Sequence, residues 1–253
     1  MNPKIHVLIL NWNGSKYLNE SIESIKNNNY SNFKITVIDN NSDDDSLLKI
    51  DKKNINIISH PENYKYAKGY NKAIFNLKND DSDYYLLLNN DTVSDQNLLE
   101  SFSIATKEYG NNCIMGAKIL YAKNKNRIWY AGGKFGLFNF FVSHRGIRKV
   151  ESSNYDKDCI TDYITGCCLL ISKNHFHQLK GFDENFNMYG EDVDLSIRAQ
   201  NIGLKCYYIS KAKLWHSVSE SYGGNYSLSK NISKINSLFK LIIKHPKKII
   251  LGL

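Results

Sequence analysis

Three short polar clusters stand at the ends of apolar runs of strand length. Asn11-Trp12-Asn13 follows the run at 6–10, Asp39-Asn40-Asn41 the run at 34–38, and Asn89-Asn90-Asp91 the run at 84–88. Asparagine and aspartate form turns in any protein, so one such cluster says little. Three in the same place relative to their strands make a binding site the better explanation, because ligands of an open α/β sheet lie beyond the carboxyl ends of its strands. The residue types point to a nucleotide. Asp39 suits a ribose or base contact, and Asp91 suits a divalent cation bridging a diphosphate, since hard cations take oxygen ligands. Glycine-rich phosphate loops are missing: the turn after the first run holds one glycine, Gly14, and no G-x-x-x-x-G-K-[ST] occurs. A dehydrogenase or P-loop enzyme is therefore disfavoured, and a nucleotide site built on side-chain carboxylates remains.

Strands and helices must hold those clusters. Leu18, Ile22 and Ile25 recur at i, i+4 and i+7, one face of an amphipathic helix between the first two runs. The run at 34–38 is β-branched and ends in a turn and cap cluster. A third strand is expected at 55–59 and a helix at 67–77, before the strand at 84–88. This alternation implies βαβ units and a mostly parallel, doubly wound sheet. The second half is less regular. Glycines 132, 133 and 136 break the chain, and the aromatic stretch to Phe141 predicts a lid or a hairpin. Further strands are expected at 164–172, 205–210 and 213–215, the last leading to His216, with a helix from Glu191 to about Asn201.

Read in order, the motifs are similar to a known family. They are Leu10-Asn11-Trp12-Asn13-Gly14, Val37-Ile38-Asp39-Asn40-Asn41-Ser42, Pro61-Glu62-Asn63 with Ala67, Gly69 and Asn71, and Leu88-Asn89-Asn90-Asp91-Thr92. His144-Arg145-Gly146, Thr165-Gly166-Cys167-Cys168, Gly181-Phe182-Asp183-Glu184, Tyr189-Gly190-Glu191-Asp192-Val193-Asp194-Leu195 and His216 complete the series. From about Val7 to Ser221 the chain resembles the family 2 glycosyltransferases of the GT-A fold, especially their rhamnosyltransferase-like members. The resemblance implies an α/β fold with a Rossmann-like nucleotide-binding half and a mixed central sheet flanked by helices. It also implies inverting transfer of a sugar from a nucleotide diphosphate sugar to a hydroxyl of a glycan or lipid-linked acceptor, in bacterial surface polysaccharide synthesis. dTDP-rhamnose is the leading donor, with UDP-sugars behind it.

Carried over by position, Asp39 would bind the nucleoside with Asn71 near it, and Asn11, Asn13, Asn41, Asn89, Asn90 and Asp91 would complete the donor site. Two departures stand out. Asn89 occupies the first position of the family's D-x-D, which leaves Asp91 as the main anionic ligand for Mg²⁺ or Mn²⁺. Lys65 stands where the pattern usually has a glycine, putting the shape of that loop in doubt or reaching a phosphate. An acceptor hydroxyl is a poor nucleophile until a positioned carboxylate takes its proton. Glu191 and Asp192 are adjacent carboxylates at a helix start, and Asp192 is the base by resemblance. Acidic residues also favour a first helical turn for electrostatic reasons alone. His216 is either Asp91's partner on the metal or a structural histidine after a strand. Trp12 and Trp215 read as core or wall. His144 and Arg145 read equally as phosphate or acceptor contacts and as a solvated loop.

Composition bounds the rest. The chain has 253 residues, enough for one large α/β domain or two small ones. No linker divides it, and the expected organisation is a catalytic domain over 1–226 and a basic amphipathic helical tail over 227–253. Lys and Arg number 33 against 25 Asp and Glu, a net charge of +8. The lysines are dispersed and no nucleic-acid motif stands out, so no nucleic acid partner is expected. A catalytically inactive sugar-nucleotide-binding module is the main alternative to an enzyme, Asn89 lending it weight, and a basic nucleic-acid-binding protein is the lesser one. No apolar run reaches the ~18–20 residues that span a bilayer. Five cysteines without a C-x-x-C pair read as buried free thiols. With no signal-peptide pattern at the N-terminus, they predict a cytoplasmic address. The tail reads two ways: as a helix packing its Leu/Ile face on the domain, or as a peripheral membrane segment at the inner face of the cell membrane, lysines toward anionic lipid. Oligomeric state is not legible in the sequence.

Overall fold

The computed structural model describes residues 2–137, 141–186, 189–217 and 228–251. In chain order the first half gives β1 (Ile5–Asn11), α1 (Leu18–Lys26), β2 (Phe33–Asp39), β3 (Ile55–Ser59), α2 (Lys65–Phe75), β4 (Tyr84–Asn89), β5 (Thr92–Ser94) and α3 (Leu98–Tyr109). Then follow β6 (Cys113–Tyr121), β7 (Ile128–Tyr130), β8 (Gly133–Gly136), β9 (Phe141–His144), β10 (Cys159–Ile160), β11 (Cys168–Ser172) and α4 (Lys173–Gln178). The last elements are α5 (Glu191–Asn201), β12 (Lys205–His216) and α6 (Leu228–Lys244), with a π-helical turn at Lys247–Leu251.

The strands form one mixed sheet in the order β10-β12-β6-β11-β4-β1-β2-β3, with β5 added to β12 and β7 to β6. Parallel pairing holds for β3-β2-β1-β4 and for β6 with β12. Strand β11 runs antiparallel between β4 and β6. The sheet is thus the mixed one of a Rossmann-like GT-A fold, not the mostly parallel one that alternation alone suggested. The second half inserts β11 antiparallel between β4 and β6, adds β7 and β10 as antiparallel partners and pairs β12 antiparallel with β5, so the alternation of strand and helix does not carry through it.

Alternate residues of β1 feed two cores. Ile5, Val7 and Ile9 pack with α1 and α3, while Leu8 packs with α2, α4 and α5. Buried Leu18, Ile22 and Ile25 realise the spacing seen in α1. Helix α2 runs 65–75 instead of 67–77. The strand expected from 164 begins only at Cys168, because the backbone before it bonds elsewhere: Ile164 N–H donates to Ser196 Oγ and Gly166 N–H to the Asp192 carboxylate. The two strands expected at 205–210 and 213–215 are one, β12, with its register shifted between Ile209 and Lys213. The Gly-rich break becomes the antiparallel hairpin β8–β9. Helix α3 and strand β6 carry no signal that the motif reading used. All five cysteines are free thiols, four buried and Cys159 half-buried.

The tail docks on the domain. Leu241 and Ile249 are buried in the larger core, and the π-helical turn lies against the hairpin. Lys244 Nζ is 2.6 Å from both Asp183 and Asp194, and Lys240 Nζ donates to the Asn185 carbonyl.

Candidate active site

Parallel register sets the floor of the site. Asn11 faces Asp39 across β1 and β2, and Leu10 faces Asn89 across β1 and β4, so the three polar clusters emerge side by side. Asn11 stitches them together. Its Nδ2 donates to Asp39 Oδ1 at 3.1 Å and to Ser46 Oγ at 3.0 Å, and its Oδ1 accepts from Asn90 Nδ2 at 2.8 Å. The turn that follows must be bare: a Cβ on Gly14 would lie 2.2 Å from Asn11 Oδ1 and 2.3 Å from Asn90 Nδ2.

Asp39 is 5% exposed and fixed by Ser42, whose Oγ donates to Oδ1 at 2.6 Å and whose N–H donates to Oδ2 at 3.1 Å. Asn13 ties the same turn, donating its N–H to Ser42 Oγ and accepting from Asp43 N–H at 3.0 Å each. Asn41 is exposed at φ 60, a left-handed conformation that asparagine tolerates. Asn71 does something different from the role the motif suggested. Its Nδ2 donates to the Phe182 carbonyl and Glu184 Oε1, and its Oδ1 accepts from Phe182 N–H, so it is a buried clasp on the 182–184 turn. The structure does not join it to the Asn11 cluster.

Strand β5 reverses against β12 and brings His216 opposite Thr92. His216 Nε2 lies 3.0 Å from Asp91 Oδ1, and both side chains are buried. His216 Nδ1 is buried without a hydrogen-bond partner. Two buried donors and an unpartnered ring nitrogen fit a hard cation that takes its remaining ligands from phosphate oxygens and water. Among the described residues, no group of three or more His, Cys, Asp or Glu side chains is placed to hold a metal by itself. Trp129, which the motifs did not flag, packs edge-on against His216 at 4.7 Å and against His144 at 4.5 Å. Burial draws the His144 imidazole down to about 4, so it is neutral. Arg145 is wedged against the rings of Tyr208 and Tyr155 and donates from Nε to the Ala131 carbonyl. The 144–145 segment is therefore a packed wall and not a solvated loop.

The acidic pair opens α5 after Gly190, which takes φ 89. Asp192 Oδ2 accepts from Gly166 N–H and Oδ1 from Val193 N–H, both at 2.8 Å. Tyr66 Oη donates to the Gly166 carbonyl at 2.6 Å, and a Cβ on Gly166 would lie 2.6 Å from that hydroxyl. Glu191 is buried and its Oε2 has no partner. Burial, then the neighbouring Asp192, pushes the Glu191 carboxyl well above the usual range. Burial lifts Asp192 too, against the backbone N–H groups that favour its anion. The two carboxylates differ in surroundings, the unpartnered Oε2 of Glu191 contrasting with the two backbone N–H groups that Asp192 accepts. Backbone bonds of two adjacent residues tie the strand-end clusters to the acidic pair: Gly166 N–H donates to Asp192 Oδ2, and the Cys167 carbonyl accepts from Asn89 N–H. The strand-end clusters and the helix-borne acids therefore face one site.

Residues 6–179 match the family described as Glycosyl transferase family 2. The chain belongs to that family. Residues 146–219 also match the family described as N-terminal domain of galactosyltransferase. The glycosyltransferase is 25% identical over 235 residues to Rhamnosyltransferase WbbL of Escherichia coli (strain K12), covering 88% of this chain and 86% of that protein. It is 39% identical over 61 residues to N-acetylglucosaminyl-diphospho-decaprenol L-rhamnosyltransferase of Mycobacterium tuberculosis, covering 24% of this chain and 20% of the relative. Its fold is similar to that of GalNAc-T7, crystallised with UDP, GalNAc and Mn²⁺, at a TM-score of 0.69 and 14% identity, over 85% of this chain and 43% of that one. The glycosyltransferase moves a sugar from a nucleotide diphosphate sugar to an acceptor.

Proposed function

We propose that the protein is an inverting transferase that takes dTDP-rhamnose, or failing that a UDP-sugar, to a hydroxyl of a glycan or lipid-linked acceptor in bacterial surface polysaccharide synthesis. The observation that carries this reading is the pair of backbone bonds at Gly166 and Cys167, one to the Asp192 carboxylate and one from Asn89 of the Asn89-Asn90-Asp91 cluster, which supports a base and a diphosphate-side carboxylate sharing one site. Similarity to two proteins named as rhamnosyltransferases supports the donor. In this reading Asp39, Asn11, Asn13 and Asn41 take the nucleoside, and Asn89 and Asn90 lie along the diphosphate.

Asp192 takes the proton of the acceptor hydroxyl as that oxygen attacks the anomeric carbon. The bond from that carbon to the diphosphate oxygen breaks, nucleoside diphosphate leaves, and the configuration inverts because attack and departure are on opposite faces. Gly166 N–H holds the carboxylate in place for the step. Burial of Glu191 disfavours a second negative charge beside the leaving diphosphate. Asp91 and His216 would hold Mg²⁺ or Mn²⁺, and the Mn²⁺ named with GalNAc-T7 supports that choice. Bound there, the ion supplies positive charge against the charge growing on the diphosphate.

Residues 1–226 form the catalytic unit in this proposal, with 227–253 as its docked tail. The chain works in the cytoplasm at the inner face of the cell membrane, where a lipid-linked acceptor is presented, and nucleic acid has no part in it. A donor screen reading nucleoside diphosphate release, with and without Mn²⁺, tests the proposal. Release from dTDP-rhamnose exceeding that from UDP-sugars is the expected result, and no release from any donor would leave an inactive binding module.

A further inference from the structure

Helix α6 has two apolar faces, and the domain covers only one. Leu241 and Ser237 are turned inward and buried, with Leu238 and Ile242 packed beside them. Ile232, Ile235, Phe239 and Ile243, spaced three, four and four residues apart, form a stripe along the other side. Phe239 is 60% exposed and Ile243 80%, and Ile250 and Leu251 of the π-helical turn prolong the stripe. Isolated exposed apolar residues are common, but an unbroken row of large ones marks a contact surface.

Charge identifies the occupant. Residues 228–251 contain lysines at 230, 234, 240, 244, 247 and 248 and no Asp or Glu. Lys240 and Lys244 are used in docking the helix to the domain, whereas Lys247 and Lys248 form no ion pair among the described residues. A second copy of the chain would set these uncompensated cations against their own kind. An anionic lipid headgroup layer accepts both the apolar stripe and the lysines beside it. No helix among the described residues is long and apolar enough to cross a membrane.

We infer that the outward face of α6 and the turn after it dock the enzyme on an anionic membrane surface, Ile232, Ile235, Phe239 and Ile243 entering the headgroup boundary and Lys247 and Lys248 meeting lipid phosphate. The inference deepens the membrane-side location proposed above and rests on it for its purpose, though not for its geometry. Lys234 of the same helix lies 5.3 Å over the ring of Tyr189, just ahead of Gly190 and the acidic pair. Docking through α6 therefore brings the mouth of the Asp192 site close to the lipid, where a lipid-linked hydroxyl would be presented.

Flotation of the full chain with vesicles of phosphatidylglycerol and phosphatidylcholine, against vesicles of phosphatidylcholine alone, tests the inference. The wild type is expected to float with the anionic vesicles at low salt and to be released by high salt. A variant with Ile235→Ser, Phe239→Ser and Ile243→Ser, and a second with Lys247→Glu and Lys248→Glu, should each bind about tenfold more weakly or less. All of these side chains lie outside the packed face or at its edge, so circular dichroism and melting should stay at wild-type values. Equal flotation of wild type and triple variant would overturn the inference, as would a wild type that ignores anionic vesicles. A wild-type dimer in sedimentation that the triple variant dissolves would overturn it in favour of a second copy. Donor turnover with a soluble acceptor is read in parallel: its absence would count against the transferase reading, while flotation alone decides the docking surface.

Discussion

Asp194 Oδ1 accepts a 2.8 Å hydrogen bond from Nε2 of His245, a residue 51 positions further along the chain. Asp194 is fully buried and also pairs with Arg198 and Lys244, and these partners hold its carboxyl down at about 2 despite its burial. The turn that carries Glu191 and Asp192 is therefore pinned from behind by the tail. Asp194→Ala removes the shared carboxylate of Arg198, Lys244 and His245, although Lys244 keeps Asp183, and should cost about 3–5 kcal/mol, the range for breaking a buried ion pair. His245→Ala removes one hydrogen bond and should cost roughly 1–2 kcal/mol. Urea unfolding midpoints measure both.

Asp192→Asn should keep the fold and donor affinity, because the amide oxygen still accepts from Gly166 N–H and only the Val193 N–H bond is given up. Turnover should fall by about 10²–10⁴, the span typical of a lost general base. Single-turnover kinetics with a matched donor and acceptor read the effect, and near-normal turnover in a folded variant removes Asp192 from the step.

Asp91→Ala and Asp39→Asn should separate the two ends of the donor. The first should lose the part of nucleotide affinity that depends on Mn²⁺, since it removes the carboxylate beside His216. The second should weaken binding with or without metal, because Asp39 belongs to the Ser42–Asn11 cluster and not to the His216 pair. Calorimetry with nucleoside diphosphate, run with Mn²⁺ and with chelator, distinguishes the two patterns.

His6 lies far from this chemistry and governs a different pH response. Burial draws its imidazole down to about 4 against the opposing pull of Asp80, and its Nε2 is 2.6 Å from Thr36 Oγ1. Between pH 4 and 6.5 the unfolded chain takes a proton that folded His6 refuses, so stability rises with pH across that window and is lost on acidification. His144, also held at about 4, acts in the same direction. His6→Gln should flatten the dependence of the urea midpoint on pH between 4 and 6.5 by an amount on the order of 2–3 kcal/mol over the window. An unchanged slope in that variant would assign the effect elsewhere.

Much of the site was legible because strand ends announce themselves. β1, β2 and β4 end in Asn and Asp where apolar periodicity stops, and parallel register then forces those ends together. Pairings over long sequence distances were not legible. Nothing at Ser46 distinguished it from a turn residue, yet it fixes Asn11 from 35 positions away. Asn71 looked like a ligand residue by type and position, and its amide is spent on the 182–184 turn. Trp129 reaches His216 only because β7 folds back on β6. Lys65 explains itself in the structure: it takes φ 62, the conformation that glycine adopts without strain, which accounts for the pattern's preference at that position. Its Nζ lies 5.5 Å over the ring of Trp12, so the side chain leans toward the first strand-end cluster.

The pairing of Asp91 with His216 has a consequence for synthesis. Asp91 leaves the ribosome early, just after β4, whereas His216 closes β12, the last strand of the sheet. The strands β1 to β4 can associate among themselves as they emerge, but β5 has no partner until β12 is made, and the parallel pairing of β6 with β12 waits for it too. A nascent or prematurely terminated chain thus holds the strand-end clusters of β1, β2 and β4 without the histidine that pairs with Asp91. The Asp91–His216 pair therefore forms in a late, long-range closure that a half-made chain lacks.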